Sequence, residues 1–95
     1  MAYEIIPSKQ VIKYLKKLKD QRLKQKFVNV IYDDIAISPY NGKQKSGDLS
    51  GVWTVGFNYA GTTYRVAYEI QNDSIIPVLL CGTHENFYEQ LKNIR

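Results

Sequence analysis

Three polar side chains in the second half of the sequence could act together on a phosphate: Arg65, His84 and Tyr88. Arg65 lies within an alternating run, residues 64–69, which is typical of a strand. An arginine there is costly to desolvate unless its face of the sheet is open or holds an anion. A guanidinium binds phosphate through paired hydrogen bonds, and an imidazole titrates near neutral pH. Cleavage of a phosphodiester by internal attack of a 2′-hydroxyl would use both groups.

Further charged groups are expected near these three residues. Lys43 and Lys45 lie in a polar, glycine-bearing loop, residues 40–51, which leads into the same strands and is long enough to be functional or mobile. Their ammonium groups would help to stabilise the negative charge that develops on the reacting phosphate. Glu85 follows His84 directly and could position the substrate or share the proton transfer.

Ordinary structural roles also explain each of these residues. Arg65 could pair with a carboxylate such as Glu69, and His84 could hydrogen-bond the end of a strand. Tyr88 could pack against the sheet, and loop lysines are most often only solvated. These alternatives stay open at the level of the sequence.

Metal and cofactor chemistry finds little support in the sequence. The chain has one histidine and one cysteine, Cys81, so it lacks the ligand clusters of common zinc sites and cannot form an internal disulfide. It also lacks a glycine-rich phosphate loop followed by Lys-Ser or Lys-Thr. We therefore predict neither a metal nor a cofactor.

The elements that must position these groups follow from the hydrophobic pattern. A short strand over residues 3–6 ends at Pro7, and Ser8 and Asp20 are typical helix caps for two helices that extend to residue 38. Strands are predicted over residues 52–58, 62–71 and 74–81, and a short helix is predicted over residues 85–94. The connections between the three strands are too short for parallel crossovers, so the strands form an antiparallel meander.

This order predicts an α+β fold, β-α-α-β-β-β(-α), whose sheet packs against an N-terminal helical hairpin and leaves its other face partly open. At 95 residues the chain has room for one core, so we expect a single domain over residues 1–95. The sequence has neither a leader-like N-terminus nor a long apolar run, which favours a cytoplasmic protein without membrane contact.

Positive charge is concentrated in the predicted hairpin. The formal net charge of +4 divides into +6 on residues 1–26 and −2 on the remainder. Such asymmetry is a common sign of contact with nucleic acid or a membrane, although a solvated helix face is the more frequent explanation. Lys13, Lys16 and Lys17 are the lysines that we expect to contact RNA phosphates.

Three short motifs resemble the RelE/ParE superfamily of bacterial type II toxins. They are Gly-Asp-Leu-Ser-Gly-Val-Trp at residues 47–53, Tyr-Arg-Val-Ala-Tyr-Glu-Ile at residues 64–70 and Cys-Gly-Thr-His-Glu-Asn-Phe-Tyr at residues 81–88. The order of elements along the whole chain also agrees with that superfamily. The resemblance implies a microbial-ribonuclease-like fold and a cognate antitoxin that wraps the toxin. For the RelE branch it implies cleavage of messenger RNA on the ribosome.

The resemblance also assigns roles to individual residues. Arg65 matches the strand arginine that steadies the scissile phosphate, His84 matches a histidine used in proton transfer by the YoeB type, and Tyr88 matches a tyrosine near the C-terminus of other members. Lys43 falls in the loop that supplies a glutamate base in the YoeB type.

One departure from the RelE pattern keeps a second target open. RelE carries lysines on the first meander strand, whereas residues 53–57 of this chain include no basic side chain. The ParE branch, which inhibits DNA gyrase without cleaving RNA, is therefore the alternative, and a degenerate toxin that only binds its antitoxin is another. His84 favours the ribonuclease, because a group that titrates near neutrality serves a cleavage step.

Overall fold

A computed structural model of the protein describes residues 3–94 and contains one five-stranded sheet. The strands are β1 (Glu4–Pro7), β2 (Lys43–Gln44), β3 (Trp53–Tyr59), β4 (Thr62–Tyr68) and β5 (Ile75–Thr83), in the spatial order β1-β5-β4-β3-β2. The antiparallel β3-β4-β5 meander and the α+β class are confirmed. The parallel pairing of β1 with β5 was not predicted, and the two intervening helices provide the long crossover that it needs.

Two tight turns set the register of the meander. Ala60 and Gly61 both have positive φ angles, 51° and 80°, as the favoured two-residue hairpin turn requires. Asn72 and Asp73 do the same between β4 and β5, with φ angles of 54° and 53°. β4 ends at Tyr68, three residues before the predicted end, because the ladder with β5 is irregular there.

Three α-helices accompany the sheet: α1 (Lys9–Lys17), α2 (Gln21–Asn29) and α3 (Phe87–Ile94). The predicted caps are present, since the Ser8 hydroxyl accepts a hydrogen bond from the Val11 amide and the Asp20 carboxylate accepts two at the start of α2. The predicted second helix continues beyond α2 as a π-helical segment over Val30–Ile35. Its wider turn directs Val30, Ile31 and Ile35 into the core.

Helices pack against both faces of the sheet. One core joins α1, α2 and the π-helical segment to the face that carries Val66 and Tyr68. A second, smaller core joins α3 to the opposite face, through Phe87 and Leu91 against Leu80 and other apolar residues. This opposite face was expected to be partly open, and the C-terminal helix covers only part of it. Within residues 3–94, no helix is long and apolar enough to cross a membrane.

Candidate functional site

Arg65 lies at the centre of the sheet face that α3 only partly covers. Its partners across the two ladders are Gly56 of β3 and Gly82 of β5, so neither neighbouring strand places a side chain beside it. A Cβ atom added at Gly56 would lie 3.6 Å from the Arg65 Nη1 atom. Gly56 is exposed, so it leaves backbone open next to the guanidinium, where a ligand can approach closely, whereas Gly82 is buried.

The loop lysines reach the same face through the short edge strand. Lys43 of β2 pairs with Thr54 of β3, and the Lys45 amide continues the pairing by donating to the Val52 carbonyl at 2.8 Å. Because side chains alternate along strands, Lys43, Lys45 and Thr54 share the face that carries Arg65. Lys45 is half-buried, whereas Lys43 is exposed. The structure thus brings Lys45 into the site and leaves Lys43 at its rim.

The Tyr88 ring connects the two cations. The Lys45 Nζ atom lies 4.8 Å from the ring centroid, and the Arg65 Cζ atom lies 5.8 Å from it. Both distances fall within the range of cation–π attraction. Tyr88 is positioned by α3, whose neighbouring Phe87 is anchored in the second core and contacts the Tyr88 ring edge-on at 5.7 Å.

These neighbours change the acidity of the phenol. Partial burial acts to raise the pKa of Tyr88, but the Lys45 ammonium and the Arg65 charge act in the opposite direction, and the pKa is lowered from its ordinary value. Positive charges favour the phenolate form and so make the neutral phenol a stronger acid. Tyr88 is therefore a candidate for proton transfer in this cluster.

Two polar atoms in the cluster are buried without a hydrogen-bond partner within residues 3–94: Arg65 Nε and Thr54 Oγ1. A buried polar group left unpaired typically costs about 1–3 kcal/mol, so native structures rarely retain one without a reason. Both atoms can donate a hydrogen bond, so they are candidate donors to a bound anion. Thr54 was missed by the sequence analysis, although its register opposite Lys43 and Ala67 places it on the Arg65 face.

His84 and Glu85 lie on the exposed turn between β5 and α3 and stand apart from this cluster. The His84 amide donates to the Thr63 carbonyl at 3.0 Å, which extends the β4–β5 ladder by one pair beyond Thr83. His84 is thus two pairs from the Gly82–Arg65 pair, roughly 7 Å along the strand. In the part of the chain that the structure describes, no hydrogen bond or ion pair joins either side chain to Arg65 or Tyr88.

The three lysines of α1 lie away from Arg65. Lys13, Lys16 and Lys17 are exposed, and Lys13 and Lys17 line a groove between α1 and α3. As for metals, residues 3–94 contain no group of three or more histidine, cysteine, aspartate or glutamate side chains placed to hold an ion. The chemistry available at this site is therefore that of two cations, a hydroxyl and a phenol.

The profile of a family described as the ParE-like toxin of type II bacterial toxin–antitoxin systems matches residues 5–92. This chain belongs to that family. It is accordingly a toxin of the RelE/ParE superfamily, as the three sequence motifs indicated. A search of curated proteins gives no significant match.

Solved structures share the fold of this toxin. The toxin–antitoxin complex RelBE2 of Mycobacterium tuberculosis matches with a TM-score of 0.73 and 22% identity, over 88% of this chain and all of that one. The free E. coli toxin RelE, with two arginines replaced by alanine, matches with a TM-score of 0.59 and 20% identity over all of both chains. The intact E. coli RelBE complex matches with a TM-score of 0.59 and 21% identity, over 85% of this chain and 95% of that one.

Proposed function

We propose that the toxin is a ribosome-dependent endoribonuclease that cleaves messenger RNA by attack of a 2′-hydroxyl on the adjacent phosphate. The observation that carries this proposal is the contact of Lys45 and Arg65 with one phenol, Tyr88, beside two buried and unpaired polar atoms. Two cations would be enough for a site that only binds an anion. The phenol between them, with its lowered pKa, adds a group that can transfer a proton.

The roles follow from charge and position. Arg65 and Lys45 bind the scissile phosphate and stabilise the extra negative charge as the 2′-oxygen bonds to phosphorus. Thr54 donates its hydroxyl to a phosphate oxygen. As the bond from phosphorus to the 5′-oxygen breaks, Tyr88 donates its proton to that oxygen, which leaves a 2′,3′-cyclic phosphate and a 5′-hydroxyl.

The proton of the attacking 2′-hydroxyl passes to His84 in this scheme. His84 lies beyond Arg65 along the strands, at a separation that one nucleotide can span. Glu85, next to it, positions the substrate or shares that transfer. The exposed Lys13, Lys16, Lys17 and Lys43 hold RNA phosphates around the site, a contribution that is independent of base sequence and weakened by salt.

The test uses purified ribosomes programmed with a defined message, with cuts mapped by primer extension. Arg65→Ala, Lys45→Ala and Tyr88→Phe should each lower the cleavage rate by on the order of 10²-fold. His84→Ala is measured separately, because it tests the proton acceptor alone. Tyr32→Phe is the matched control for Tyr88→Phe, since Tyr32 is exposed on the π-helical segment, outside the site. Full cleavage by both Arg65→Ala and Tyr88→Phe would refute the proposal.

Inhibition of DNA gyrase is the second candidate, and two observations favour it. The matching family is described as ParE-like, and β3 (Trp53–Tyr59) carries no basic side chain. Pulse expression separates the two targets: early loss of amino-acid incorporation supports the ribonuclease, and early loss of thymidine incorporation with inhibited supercoiling supports the gyrase inhibitor. Normal growth on induction would instead indicate a degenerate toxin that retains only antitoxin binding.

The proposed partner that restrains the toxin is a cognate antitoxin protein. Two of the matching structures are toxin–antitoxin complexes, and the family is defined by such systems. Ribosomes and gyrase are both cytoplasmic, so the toxin would act in the cytoplasm. Co-purification with the product of the adjacent reading frame tests this pairing independently of the target.

A further inference from the structure

The sheet face that carries Arg65 also carries a second pair of polar side chains, Asn58 and Thr63. They lie directly opposite each other on β3 and β4, and on this face they are the next pair after Gly56 and Arg65. The two pairs are roughly 7 Å apart, because side chains on one face repeat every second residue. The cleavage mechanism proposed above gives neither Asn58 nor Thr63 a role.

The Asn58 carboxamide is held in one orientation. The Thr63 hydroxyl donates a hydrogen bond to the Asn58 Oδ1 atom at 2.8 Å. Within residues 3–94 the Nδ2 atom of Asn58 has no hydrogen-bond partner, and the side chain is exposed. A carboxamide nitrogen carries two N–H donors. Asn58 therefore offers two donors at the surface, in an orientation that the neighbouring strand sets.

Gly56 leaves room for a flat group beside these donors. It is exposed, and it lies between Asn58 and Thr54 in the set of β3 residues that share this face. On this face β3 thus presents only backbone between Asn58 and Thr54. A nucleobase can lie against such a strip, because no side chain of β3 stands in its way.

Asn58 is also in reach of a nucleotide whose ribose lies at His84. The His84 amide donates to the Thr63 carbonyl at 3.0 Å, and Thr63 pairs with Asn58, so the three residues lie side by side on adjacent strands. Two strand spacings, about 10 Å, separate the backbones of His84 and Asn58. In the proposed mechanism His84 accepts the proton of the attacking 2′-hydroxyl, which belongs to the nucleotide on the 5′ side of the cut. The base of that nucleotide then extends towards Asn58.

Two N–H donors distinguish the bases by the groups at their edges. Guanine carries the O6 and N7 acceptors and uracil carries O4, whereas adenine and cytosine carry the amino groups N6 and N4. A donor placed against an amino group leaves both without a partner, which costs free energy when water is excluded. The carboxamide nitrogen of Asn58 thus matches a keto base and opposes an amino base.

We propose that Asn58 selects guanine or uracil on the 5′ side of the cleaved bond, and that Thr63 positions it. The inference rests on the ribonuclease function proposed above and adds the base to the phosphate contacts assigned there. The direction of the selection follows from the Thr63 bond, because it engages Oδ1 and leaves Nδ2 for the base.

The test uses four messages that differ only in the nucleotide on the 5′ side of the mapped cut. The parent toxin should cleave the guanine and uracil messages at least about fivefold faster than the other two. Asn58→Ala should remove most of this preference, and Asn58→Asp should invert it, because a carboxylate accepts hydrogen bonds from amino groups. One ribosome preparation serves all variants, so that any selection by the ribosome itself is the same for each.

Asn72→Asp is the matched control for Asn58→Asp. It makes the same change of charge in the turn between β4 and β5, at the other end of the meander from Asn58. Asparagine and aspartate both tolerate the positive φ angle of 54° at this position. Asn72→Asp should keep the parental preference, even where the added charge lowers the rate on all four messages alike.

The positioning role of Thr63 has its own readout. Thr63→Val lets the carboxamide turn, so the preference between keto and amino bases should fall while the rate summed over the four messages stays close to the parental value. Thr63→Ser keeps the hydroxyl and should restore the preference. A Thr63 that acted only on stability would leave the preference unchanged in both variants, which would contradict the positioning role.

The outcomes separate this inference from the proposed function. A parental preference in Asn58→Ala, or a parent toxin that favours adenine and cytosine, would overturn the inference and leave the ribonuclease function supported by the cleavage itself. Absence of cleavage by the parent toxin on all four messages would refute the proposed function and this inference with it.

Discussion

At the scale of single residues, the central property of the site is the pKa of the Tyr88 phenol, which depends on the charged side chains around it. Lys45 reaches Tyr88 from the edge strand β2, and Arg65 reaches it from β4. A RelE-like arrangement with lysines on β3 is absent from this chain, so we assign the second cation of the site to Lys45. The acidity of Tyr88 is the measurable consequence of that assignment.

Lys45→Met should raise the pKa of Tyr88. The substitution keeps the length of the side chain and removes the charge that favours the phenolate, while the opposing effect of partial burial remains. The measurement is a titration by NMR with ¹³C-labelled tyrosine, with the Tyr88 signal assigned from its loss in Tyr88→Phe. Lys43→Met, at the exposed rim, is the control and should leave the Tyr88 titration unchanged. A parental pKa in Lys45→Met would contradict the assignment.

Thr54→Val should separate stability from function. The Thr54 hydroxyl is buried and unpaired, so replacing it with a methyl group of similar size should leave the free energy of unfolding unchanged or raise it by about 1 kcal/mol. Cleavage should fall, because the phosphate loses a donor. Urea denaturation and the ribosome assay measure the two effects.

Thr63→Val provides the comparison for that experiment. Thr63 is on the same sheet face, and its hydroxyl donates to the Asn58 side chain at 2.8 Å in an exposed position. Its loss should cost at most about 1 kcal/mol and should change cleavage little. If Thr54→Val both destabilises the fold and preserves cleavage, Thr54 is a structural residue only.

At the scale of elements, Ser8 ties helix α1 to the sheet. Its hydroxyl accepts from the Val11 amide at 3.2 Å and donates to the Leu79 carbonyl at 2.9 Å, while its amide donates to the Val78 carbonyl at 2.9 Å. One residue thus caps the helix and ends the pairing of the β5 edge. The groove beside α1 begins at this point.

Ser8→Ala should lower the free energy of unfolding by about 1–2 kcal/mol, because a helix cap and a bond to a carbonyl are lost together. Urea denaturation followed by circular dichroism measures it. Ser46→Ala is the matched control, since Ser46 also precedes a helical turn, Gly47–Leu49, but makes no capping hydrogen bond from its side chain. Equal losses for the two variants would show that Ser8 does not act through these bonds.

The elements that the sequence predicted are those fixed by local chemistry. Ser8 and Asp20 cap the helices as expected, and the short turns enforce the antiparallel meander. The pairing of β1 with β5 and the contact of Lys45 with Tyr88 depend on groups far apart in the chain, which no local pattern records. The sequence places His84 near the end of β5. Its separation from Tyr88 could not be predicted, because that separation depends on how distant parts of the chain pack together.

At the scale of the whole molecule, positive charge and candidate chemistry occupy different elements. Most basic side chains are on α1 and α2, whereas Arg65, Lys45 and Tyr88 meet on the opposite side of the sheet. In the proposed ribonuclease, binding of polyanions and cleavage would thus be separable functions of the two faces. The sheet between them is held by a core whose buried residues include two ionisable groups, Tyr68 and Cys81.

The pKa values of these two buried groups allow a prediction of how the stability of the molecule depends on pH. Burial raises the pKa of Tyr68 to about 12, against a smaller opposing effect of the Gly42 amide, and burial raises the pKa of Cys81 to about 12. Both groups stay neutral in the folded state at pH values where the unfolded chain ionises. Their contribution is therefore complete below pH 9 and is lost as the pH rises towards 12.

Urea denaturation at a series of pH values should accordingly show a free energy of unfolding that falls above pH 9 to 10, by roughly 1.4 kcal/mol per pH unit for each ionising group. Tyr68→Phe lowers the stability at every pH, because the bond from its hydroxyl to the Pro39 carbonyl is lost. It should also reduce the slope with which the free energy of unfolding falls at alkaline pH. Cys81→Ala should reduce this slope as well, and its effect should begin at a lower pH. The exposed Tyr32→Phe should keep the parental slope. A parental slope in both core variants would show that the alkaline transition arises elsewhere in the molecule.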